Sequence, residues 1–447
     1  MQTVFARKAL LDKGWSDNVR LGIAGGRVTS VTADVLPDDA DQQVDILIPG
    51  LGNAHSHAFQ RALVGRTERR SPAGEDNFWS WRTEMYKLAN KVSAEQLAAI
   101  AAQAYNEMLQ AGYTSVAEFH YLHRNPARDG DAMFHALQSA AEASGIRLVY
   151  VPVLYERAGF DDSEPTEQQR PFVQPLEEFL AHHARCTGNA NANTTVAIGA
   201  HSLRAVSRTS LAAIVDIATT NDIPLHLHIA EQTGEVEQCL AAHGLRPVEY
   251  LLKHFDVDAR WCLVHATHIT DEESAALAKT GAVVCICPTT EANLGDGLFP
   301  LRPFLERGGQ IAIGSDSQVS IDPFEELRWL EYGQRLVSQS RNVAAIEHNN
   351  VGYELFTRAL RGGALATAHE PAGIVAGACA DLVVLKSDDA VLADQDDDRL
   401  LDALIFSGYR VPIERVMTCG TWQVVDGDHV HQDPVRMRYR HALRALR

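Results

Sequence analysis

The chain has 447 residues, of which 46% are hydrophobic and 22% are charged, and its formal net charge is −18. This length and composition are typical of an ordinary soluble globular protein with room for a large barrel and an appended domain. The negative charge opposes binding to nucleic acid or to an anionic membrane, so neither is expected as a partner. It leaves open a small anionic substrate, which needs only a local group of Arg and His.

The cysteine pattern and the start of the chain indicate the compartment. The seven cysteines include no CxxC pair, so the sequence predicts neither a disulfide framework nor a thiolate zinc site. The first residues lack the hydrophobic region of a signal peptide, and no apolar run is long enough to span a bilayer. A cytoplasmic protein is therefore expected.

The two ends of the chain share a texture of short, alternating β-type runs. Val19–Ile23 is an example near the start, and Asp381–Leu385 is one near the end. These runs predict one small β-sandwich domain built from both termini, with residues 1–45 as its N-terminal part and residues 371–447 as its C-terminal part.

Residues 46–370 alternate β-type runs with longer amphipathic stretches. The predicted strands are Ile46–Pro49, Thr114–Phe119, Arg147–Val153, Thr195–Ala200, Pro224–Ile229, Trp261–His265, Ala282–Cys287 and Gln310–Ser315. The predicted helices between them include Ala94–Ala111, Asp131–Ser144, Thr209–Asn221, Gly234–His243 and Asp271–Thr280. Strands that alternate with helices in this number predict an α/β protein with a (β/α)₈ TIM-type barrel. A doubly wound open sheet is the competing architecture.

Four residues at predicted strand ends suit a divalent metal ion. His55 and His57 follow the apolar run Val44–Gly50, and their spacing places both imidazoles on one side of a strand's C-terminal edge. His228 ends the fifth predicted strand and Asp316 follows the eighth. In a barrel these ends meet on one face, and three imidazoles with one carboxylate keep an ion acidic enough to activate water. The four together predict a metal site, although HxH alone is weak evidence.

Three further side chains are expected near this site. Glu231 lies three residues after His228 at a strand-to-helix junction, with a helix N-cap or first-turn acid as the alternative. Asp316 can also accept a proton from the attacking water through its free oxygen, and an N-cap is its alternative role. His265, at the end of the sixth strand, can form a hydrogen bond to the attacking oxygen or stabilise a tetrahedral intermediate.

Other histidines carry less information. His226 and His268 are left open between a substrate contact and a structural hydrogen bond. A second group has no partner spacing and is expected on the surface or in loops: His120, His123, His182 and His183.

Five segments of the chain carry a family pattern. They are Gly52–Ala62, Phe78–Arg82, Ala117–His123, His201–Val206 and Cys287–Gly297. The chain resembles the amidohydrolase superfamily in its mononuclear deaminase branch, and within that branch the formimidoylglutamate deiminases. The HxH and HxxE elements occur widely in the superfamily, whereas FWSWR, EFHYLH and HSLRAV narrow the resemblance. It implies a metal-dependent hydrolase that converts N-formimino-L-glutamate into N-formyl-L-glutamate and ammonia in histidine degradation.

The resemblance also implies roles for individual residues. Glu231 is expected to carry a proton to the departing nitrogen. The residues expected around a small anionic amidine substrate are Gln60, Arg82, Tyr121, His201 and Arg204. The assignment of each Arg to a substrate carboxylate stays open.

The metal count and the assembly follow from the same resemblance. The fourth strand ends Ile198–His201, without the bridging Lys or carboxylate of binuclear members, which favours one divalent ion per subunit. Zn²⁺ is favoured, while iron and manganese also accept three His and one Asp. A homodimer is expected.

Two alternatives are retained. One is a deaminase of the same branch that acts on a purine or pterin ring, for which an aromatic slot with amide donors and fewer Arg would be expected. The other is a barrel that has lost its metal and serves as a scaffold, for which missing ligands would be expected.

Overall fold

The two ends of the chain meet in one mixed β-sheet. The computed structural model describes residues 2–70, 76–123, 130–369, 371–408 and 410–447. The N-terminal strands of this sheet are β1 (Gln2–Leu11), β2 (Gly14–Ala24), β3 (Arg27–Thr32) and β4 (Gln42–Pro49). Strand β4 lies between β1 and the first C-terminal strand, so the two ends of the chain are joined edge to edge.

The middle of the chain forms a parallel barrel. Its strands are β5 (Leu51–Ser56), β6 (Tyr113–His120), β7 (Arg147–Leu154), β8 (Thr194–Val196), β9 (Ile198–Ser202), β10 (Leu225–Ile229), β11 (Trp261–His265), β12 (Val283–Ile286) and β13 (Gln310–Ile313). The hydrogen-bonded order is β13-β12-β11-β10-β9-β7-β6-β5, with the short β8 on the edge of β7. The path closes where Ser56 pairs with Asp316. The predicted barrel is confirmed.

Helices cover the outside of the barrel. They are α1 (Phe78–Ala89), α2 (Ala94–Ala111), α3 (Gly130–Ser144), α4 (Leu176–Gly188), α5 (Arg208–Asn221), α6 (Thr233–His243), α7 (Pro247–His254), α8 (Asp271–Ala278), α9 (Pro288–Leu294), α10 (Leu301–Glu306), α11 (Pro323–Ser338) and α12 (Val351–Thr367). Helix α2 shows how the sequence determines where a helix begins and ends. The Ser93 side chain accepts a hydrogen bond from the Gln96 amide at the start, and Gly112 adopts φ 100° at the end.

The C-terminal residues return to the small sheet. The remaining elements are β14 (Leu382–Leu385), α13 (Leu400–Phe406), β15 (Ile413–Thr418), β16 (Thr421–Val425), β17 (Asp428–His429) and α14 (Gln432–Ala445). The predicted small β domain built from both termini is confirmed, and its eight strands form one continuous path. None of the helices in the described part of the chain combines the length and apolar character needed to cross a membrane.

One strand assignment from the sequence is wrong. Ile46–Pro49 was predicted as the first barrel strand, but it belongs to β4 in the small sheet, so the domain boundary falls at Gly50 rather than at residue 45. The run is apolar on both faces because Ile46 and Ile48 pack in the barrel core while Leu47 packs in the core of the small sheet. A strand covered on both sides resembles a buried parallel strand in sequence.

Candidate metal centre and active site

Three imidazoles meet at the C-terminal end of the barrel. His55 lies near the end of β5, His57 follows that strand, and His228 lies near the end of β10. The Nε2 atom of His55 lies 3.1 Å from that of His57 and 3.0 Å from that of His228. All three side chains are buried. The parallel barrel therefore gathers ligands that are far apart in sequence.

The protonation of these rings fits a bound cation. His57 Nδ1 lies 2.8 Å from the Phe119 carbonyl oxygen, and His228 Nδ1 lies 3.0 Å from the His201 carbonyl oxygen. Each Nδ1 must donate to its carbonyl, so a neutral ring keeps an unprotonated Nε2. Burial lowers the pKa of His55 to about 3 and also lowers that of His57 and His228, which keeps the rings neutral.

A proton alone does not satisfy this arrangement. His55 Nε2 faces two lone pairs and can donate a hydrogen to only one of them, while its buried Nδ1 has no hydrogen-bond partner in the described part of the chain. A divalent ion accepts all three lone pairs at once. We conclude that the donor set fits a metal ion, with the carboxylate of Asp316 as the anionic member.

Asp316 reaches the histidines because the barrel closes tightly. Its Oδ1 lies 3.4 Å from His55 Nε2 and 3.3 Å from His57 Nε2. Two backbone hydrogen bonds of 3.0 Å tie Asp316 to the chain on either side of Ser56. A Cβ at Gly314 would lie 2.8 Å from His55 Cβ, so only glycine permits this approach.

Left-handed backbone marks the same end of the barrel. His265 has φ 72°, Ala230 has φ 50° and Asp316 has φ 40°, although none of them is glycine. Each lies where a strand leaves the barrel. Such backbone costs about 1–3 kcal/mol per residue and concentrates at functional sites.

A second set of ionisable groups adjoins the imidazoles. His265 Nε2 lies 3.7 Å from Glu231 Oε1 and 3.8 Å from Asp316 Oδ2, and its Nδ1 lies 3.2 Å from Glu291 Oε1. Burial lowers the pKa of His265, but these carboxylates outweigh it and raise the pKa to about 10. Burial raises the pKa of Glu231 to about 7. We call His55, His57, His228, Glu231, His265 and Asp316 the floor of the cavity.

Glu231 does not cap the following helix. The side chain that takes the loop amides is Glu235, which accepts hydrogen bonds from the backbone N–H groups of Ala230 at 3.2 Å and Glu231 at 3.0 Å. Glu231 itself faces His265. The capping alternative is thereby removed, and Asp316, which lies between β13 and α11, does not cap a helix either.

The five predicted substrate residues border the same cavity. Gln60 donates to the Tyr121 hydroxyl at 2.9 Å, and Arg204 donates to the Ala158 carbonyl at 3.0 Å. Arg82 stacks on Trp79, with its guanidinium carbon 4.5 Å from the ring centroid. His201 also borders the cavity, and burial holds its pKa well below the usual value. We call Gln60, Arg82, Tyr121, His201 and Arg204 the wall.

Two buried polar atoms of the wall find no hydrogen-bond partner among the described residues. They are Nη1 of Arg82 and Oε1 of Gln60. Among the described residues, neither Arg82 nor Arg204 forms a salt bridge with a carboxylate. A buried guanidinium without a charged partner lowers the stability of the folded protein unless an anion binds to it.

Several cavity residues were not predicted. The apolar and aromatic ones are Phe78, Met85, Tyr86, Tyr155, Phe172 and Leu294. Glu291 was quoted only as part of a family segment, yet it holds His265, and Glu235 was not singled out. Phe78 and Leu294 also lie in quoted family segments, whereas the sequence around the other residues has no spacing that separates them from ordinary core or surface residues.

The remaining histidines lie away from the cavity. His226 Nε2 lies 2.9 Å from the Ala366 carbonyl oxygen, and neither His226 nor His268 borders the cavity, so the structure places both in structural surroundings. For the other group, the expected loop position is met by His123, which follows β6. The expected surface position is wrong, since all four side chains are buried: His120, His123, His182 and His183. The sequence does not show the long-range partners that satisfy them, such as Asp131 beside His182.

Comparisons with known proteins agree with this geometry. The model of the amidohydrolase family matches residues 46–422, and the N-terminal domain model of formimidoylglutamate deiminase HutF matches residues 1–45. The formimidoylglutamate deiminase of Pseudomonas aeruginosa is 43% identical over 97% of each chain. The crystal structure of an amidohydrolase from Brucella melitensis has a TM-score of 0.94 and 40% identity, with 100% of both chains covered.

A more distant structure shares the fold. The crystal structure of an adenosine deaminase from Xanthomonas campestris with bound zinc has a TM-score of 0.83 at 20% identity, with 100% of this chain and 98% of that chain covered.

Proposed function

The chain belongs to the amidohydrolase family, and from this premise we propose that it hydrolyses N-formimino-L-glutamate to N-formyl-L-glutamate and ammonia. It is a hydrolase that acts on carbon–nitrogen bonds. The 43% identical relative over nearly the whole chain and the N-terminal domain match support the specific reaction. We propose that the reaction serves histidine degradation in the cytoplasm.

The observation that carries the substrate assignment is the pair of guanidinium groups in the wall. Arg82 and Arg204 line the same cavity, and the buried Arg82 Nη1 has no hydrogen-bond partner among the residues that the structure describes. A substrate with two carboxylates supplies charge-assisted acceptors for both groups. Trp79 and Tyr86 stack on Arg82 and hold it in place, so its hydrogen bonds cost less side-chain entropy.

We propose that His55, His57, His228 and Asp316 hold one divalent ion, with zinc favoured. When bound, such an ion supplies Lewis acidity that makes water nucleophilic near neutral pH. The end of β9 supports a single ion, because Ile198–Ser202 contains no Lys or carboxylate that could bridge two ions.

The floor residues account for the proton transfers. A water oxygen attacks the formimino carbon, and the Oδ2 side of Asp316, which faces His265, accepts its proton. Glu231, partly buried and 3.7 Å from His265, gives its proton to the formimino nitrogen, which becomes an –NH2 group on the tetrahedral carbon. The hydroxyl on that carbon then returns a proton to Glu231, and the proton held by Asp316 passes to the –NH2 group. The carbon–nitrogen bond breaks, the formyl carbonyl forms and ammonia leaves. His265, held by Glu291, stabilises the charge on the tetrahedral carbon's oxygen.

The two alternatives fare less well. A neutral purine or pterin ring would leave both guanidinium groups without an anion, which is unfavourable in a buried wall. A metal-free scaffold would not require three neutral imidazoles whose unprotonated nitrogen atoms converge on one point.

A homodimer is also proposed. Helix α11 exposes Trp329, Leu336 and Val337, which are 42%, 75% and 73% accessible. Sedimentation velocity of the purified protein tests this proposal, with a mass of two chains expected.

Ammonia release by the zinc-loaded protein tests the proposed function. We expect turnover with N-formimino-L-glutamate, and a kcat/KM lower by about two orders of magnitude with N-formiminoglycine, which lacks one carboxylate. Guanine serves as the ring control. Equal rates with both formimino compounds would remove the wall from substrate recognition, and preference for guanine would overturn the assignment.

A further inference from the structure

A pair of thiols lies at the opposite end of the barrel from the cavity. Cys379 precedes β14 and Cys419 follows β15, and their sulfur atoms are 3.9 Å apart. Both side chains are partly exposed, whereas the other five cysteines are buried: Cys186, Cys239, Cys262, Cys285 and Cys287. Exposure therefore singles out this pair among the cysteines.

Backbone hydrogen bonds fix the two cysteines side by side. The Gly420 amide donates to the Ala380 carbonyl at 3.1 Å, one residue beyond each cysteine. The Cys419 amide donates to Asp381 Oδ1 at 2.9 Å. The sulfur atoms must approach by about 2 Å to reach the ~2.05 Å of a disulfide. The backbone of the small sheet therefore holds the two cysteines next to each other in the folded protein.

A cation touches one of the two sulfurs. Arg147, the first residue of β7, donates from Nη1 to Cys379 Sγ at 3.4 Å and also pairs with Asp381. A hydrogen bond from the Cys419 thiol and the charge of Arg147 lower the pKa of Cys379 to about 6, against the effect of burial. The same thiol–thiol hydrogen bond raises the pKa of Cys419. The pair is asymmetric, with one thiolate and one thiol near neutral pH.

A small cavity gives access to this thiolate. The cavity has a volume of about 30 Å³, and its lining includes Arg147, Cys379, Asp381 and His369. It has room for about one or two water-sized molecules. Hydrogen peroxide fits such a space. A metal cation is disfavoured because the guanidinium of Arg147 faces the sulfur.

We propose that Cys379 and Cys419 form a dithiol that hydroperoxides oxidise reversibly to a disulfide. The Cys379 sulfur attacks one peroxide oxygen, the O–O bond breaks, and sulfenic acid and hydroxide result. The Cys419 sulfur then attacks the Cys379 sulfur, the S–O bond breaks, and water leaves with the Cys419 proton. Two electrons pass from the two thiols to the peroxide. A dithiol reductant then supplies two electrons to the disulfide and restores both thiols.

Peptide mapping of the zinc-loaded protein tests the proposal. After treatment with one equivalent of hydrogen peroxide, denaturation, alkylation and digestion, we expect a linked peptide that contains both cysteines and separates on reduction. Cys239, which is buried, is the internal control and is expected to oxidise at least about tenfold more slowly. Full alkylation of Cys379 and Cys419 after peroxide treatment would overturn the proposal.

Two variants separate the roles of the sulfurs. In Cys419→Ser the oxidation is expected to stop at sulfenic acid, so dimedone labels Cys379. In Cys379→Ser the thiol of Cys419 is expected to stay reduced. Dimedone labelling of Cys419 in this second variant, at the rate seen for Cys379, would overturn the assignment. Retained ammonia release shows that each variant is folded. A serine variant that loses this activity is replaced by the alanine variant at the same position, Cys419→Ala or Cys379→Ala.

Discussion

The floor and the wall of the cavity use charge in opposite ways. Floor groups lie 3.0–3.8 Å from one another, so their lone pairs and carboxylates are arranged for an ion and for proton transfer. The wall instead contains a buried donor, Arg82 Nη1, that has no partner within the described ranges and is available to a ligand. We infer that the floor residues carry out the reaction and the wall residues bind the substrate. Substitutions in the floor should therefore lower kcat, and substitutions in the wall should raise KM.

The largest effect is expected for a metal ligand in the floor. His228→Ala removes one of three converging imidazoles, and we expect zinc content to fall and kcat to drop on the order of 10⁴-fold. Elemental analysis and ammonia release measure both quantities. Full zinc content with unchanged kcat would place the catalytic ion elsewhere.

Glu231→Gln should separate proton transfer from metal binding. The substitution keeps the shape but removes the proton, so we expect kcat to fall about 10²–10³-fold with zinc content intact. Glu237→Gln, on helix α6 just after Glu231 and outside the cavity, is the matched control. Unchanged kcat in Glu231→Gln would reduce Glu231 to a structural acid.

Arg204→Ala tests the wall. Loss of a charge-assisted contact of about 2 kcal/mol predicts a KM about 30-fold higher, with a smaller change in kcat and full zinc content. Arg208→Ala, at the exposed start of α5, is the matched control and should behave as the parent. An effect confined to kcat would contradict the division between floor and wall.

Substitution of Glu118, a buried acid beneath the floor, is expected to have the smallest effect on turnover. Its effect on stability should depend on pH. Glu118 accepts hydrogen bonds from Ser56 Oγ and the Ala58 amide, both at 2.7 Å. Burial raises its pKa from 4.5 to about 7. The raised value means that the protonated form is favoured in the folded state, so this contribution is full below pH 4.5 and is lost as pH rises through 7.

Glu118→Gln should therefore gain relative stability with rising pH. Between pH 5 and pH 8 we expect the difference in unfolding free energy from the parent to shift by up to ~3 kcal/mol toward the variant. Urea unfolding of the zinc-loaded proteins at both pH values measures it. A shift of the opposite sign would show that Glu118 is charged in the folded state at pH 5.

Periodicity predicted most of the fold, because strands and helices of a barrel have distinct repeats. Helix α2 was predicted with the bounds that the structure shows, and β11 as well. The first strand was misplaced since Ile46–Pro49 is covered on both faces by two different cores. Only the tertiary arrangement separates such a strand from the barrel strand that follows Gly50.

The functional site was also predicted only in part. His55, His57, His228 and Asp316 were predicted because all four lie at strand ends, which a parallel barrel brings together. Glu291 was missed as a partner of His265, since it lies in a different βα unit and no sequence spacing encodes the contact. The same limit explains why buried His182 was expected on the surface.

The most direct test is a crystal structure of the zinc-loaded protein with anomalous data collected at the zinc edge. The account predicts one peak per chain, with the Nε2 atoms of three histidines and an Asp316 oxygen at about 2.0–2.2 Å. A peak outside this group, two peaks within it, or no peak despite added zinc would contradict the account.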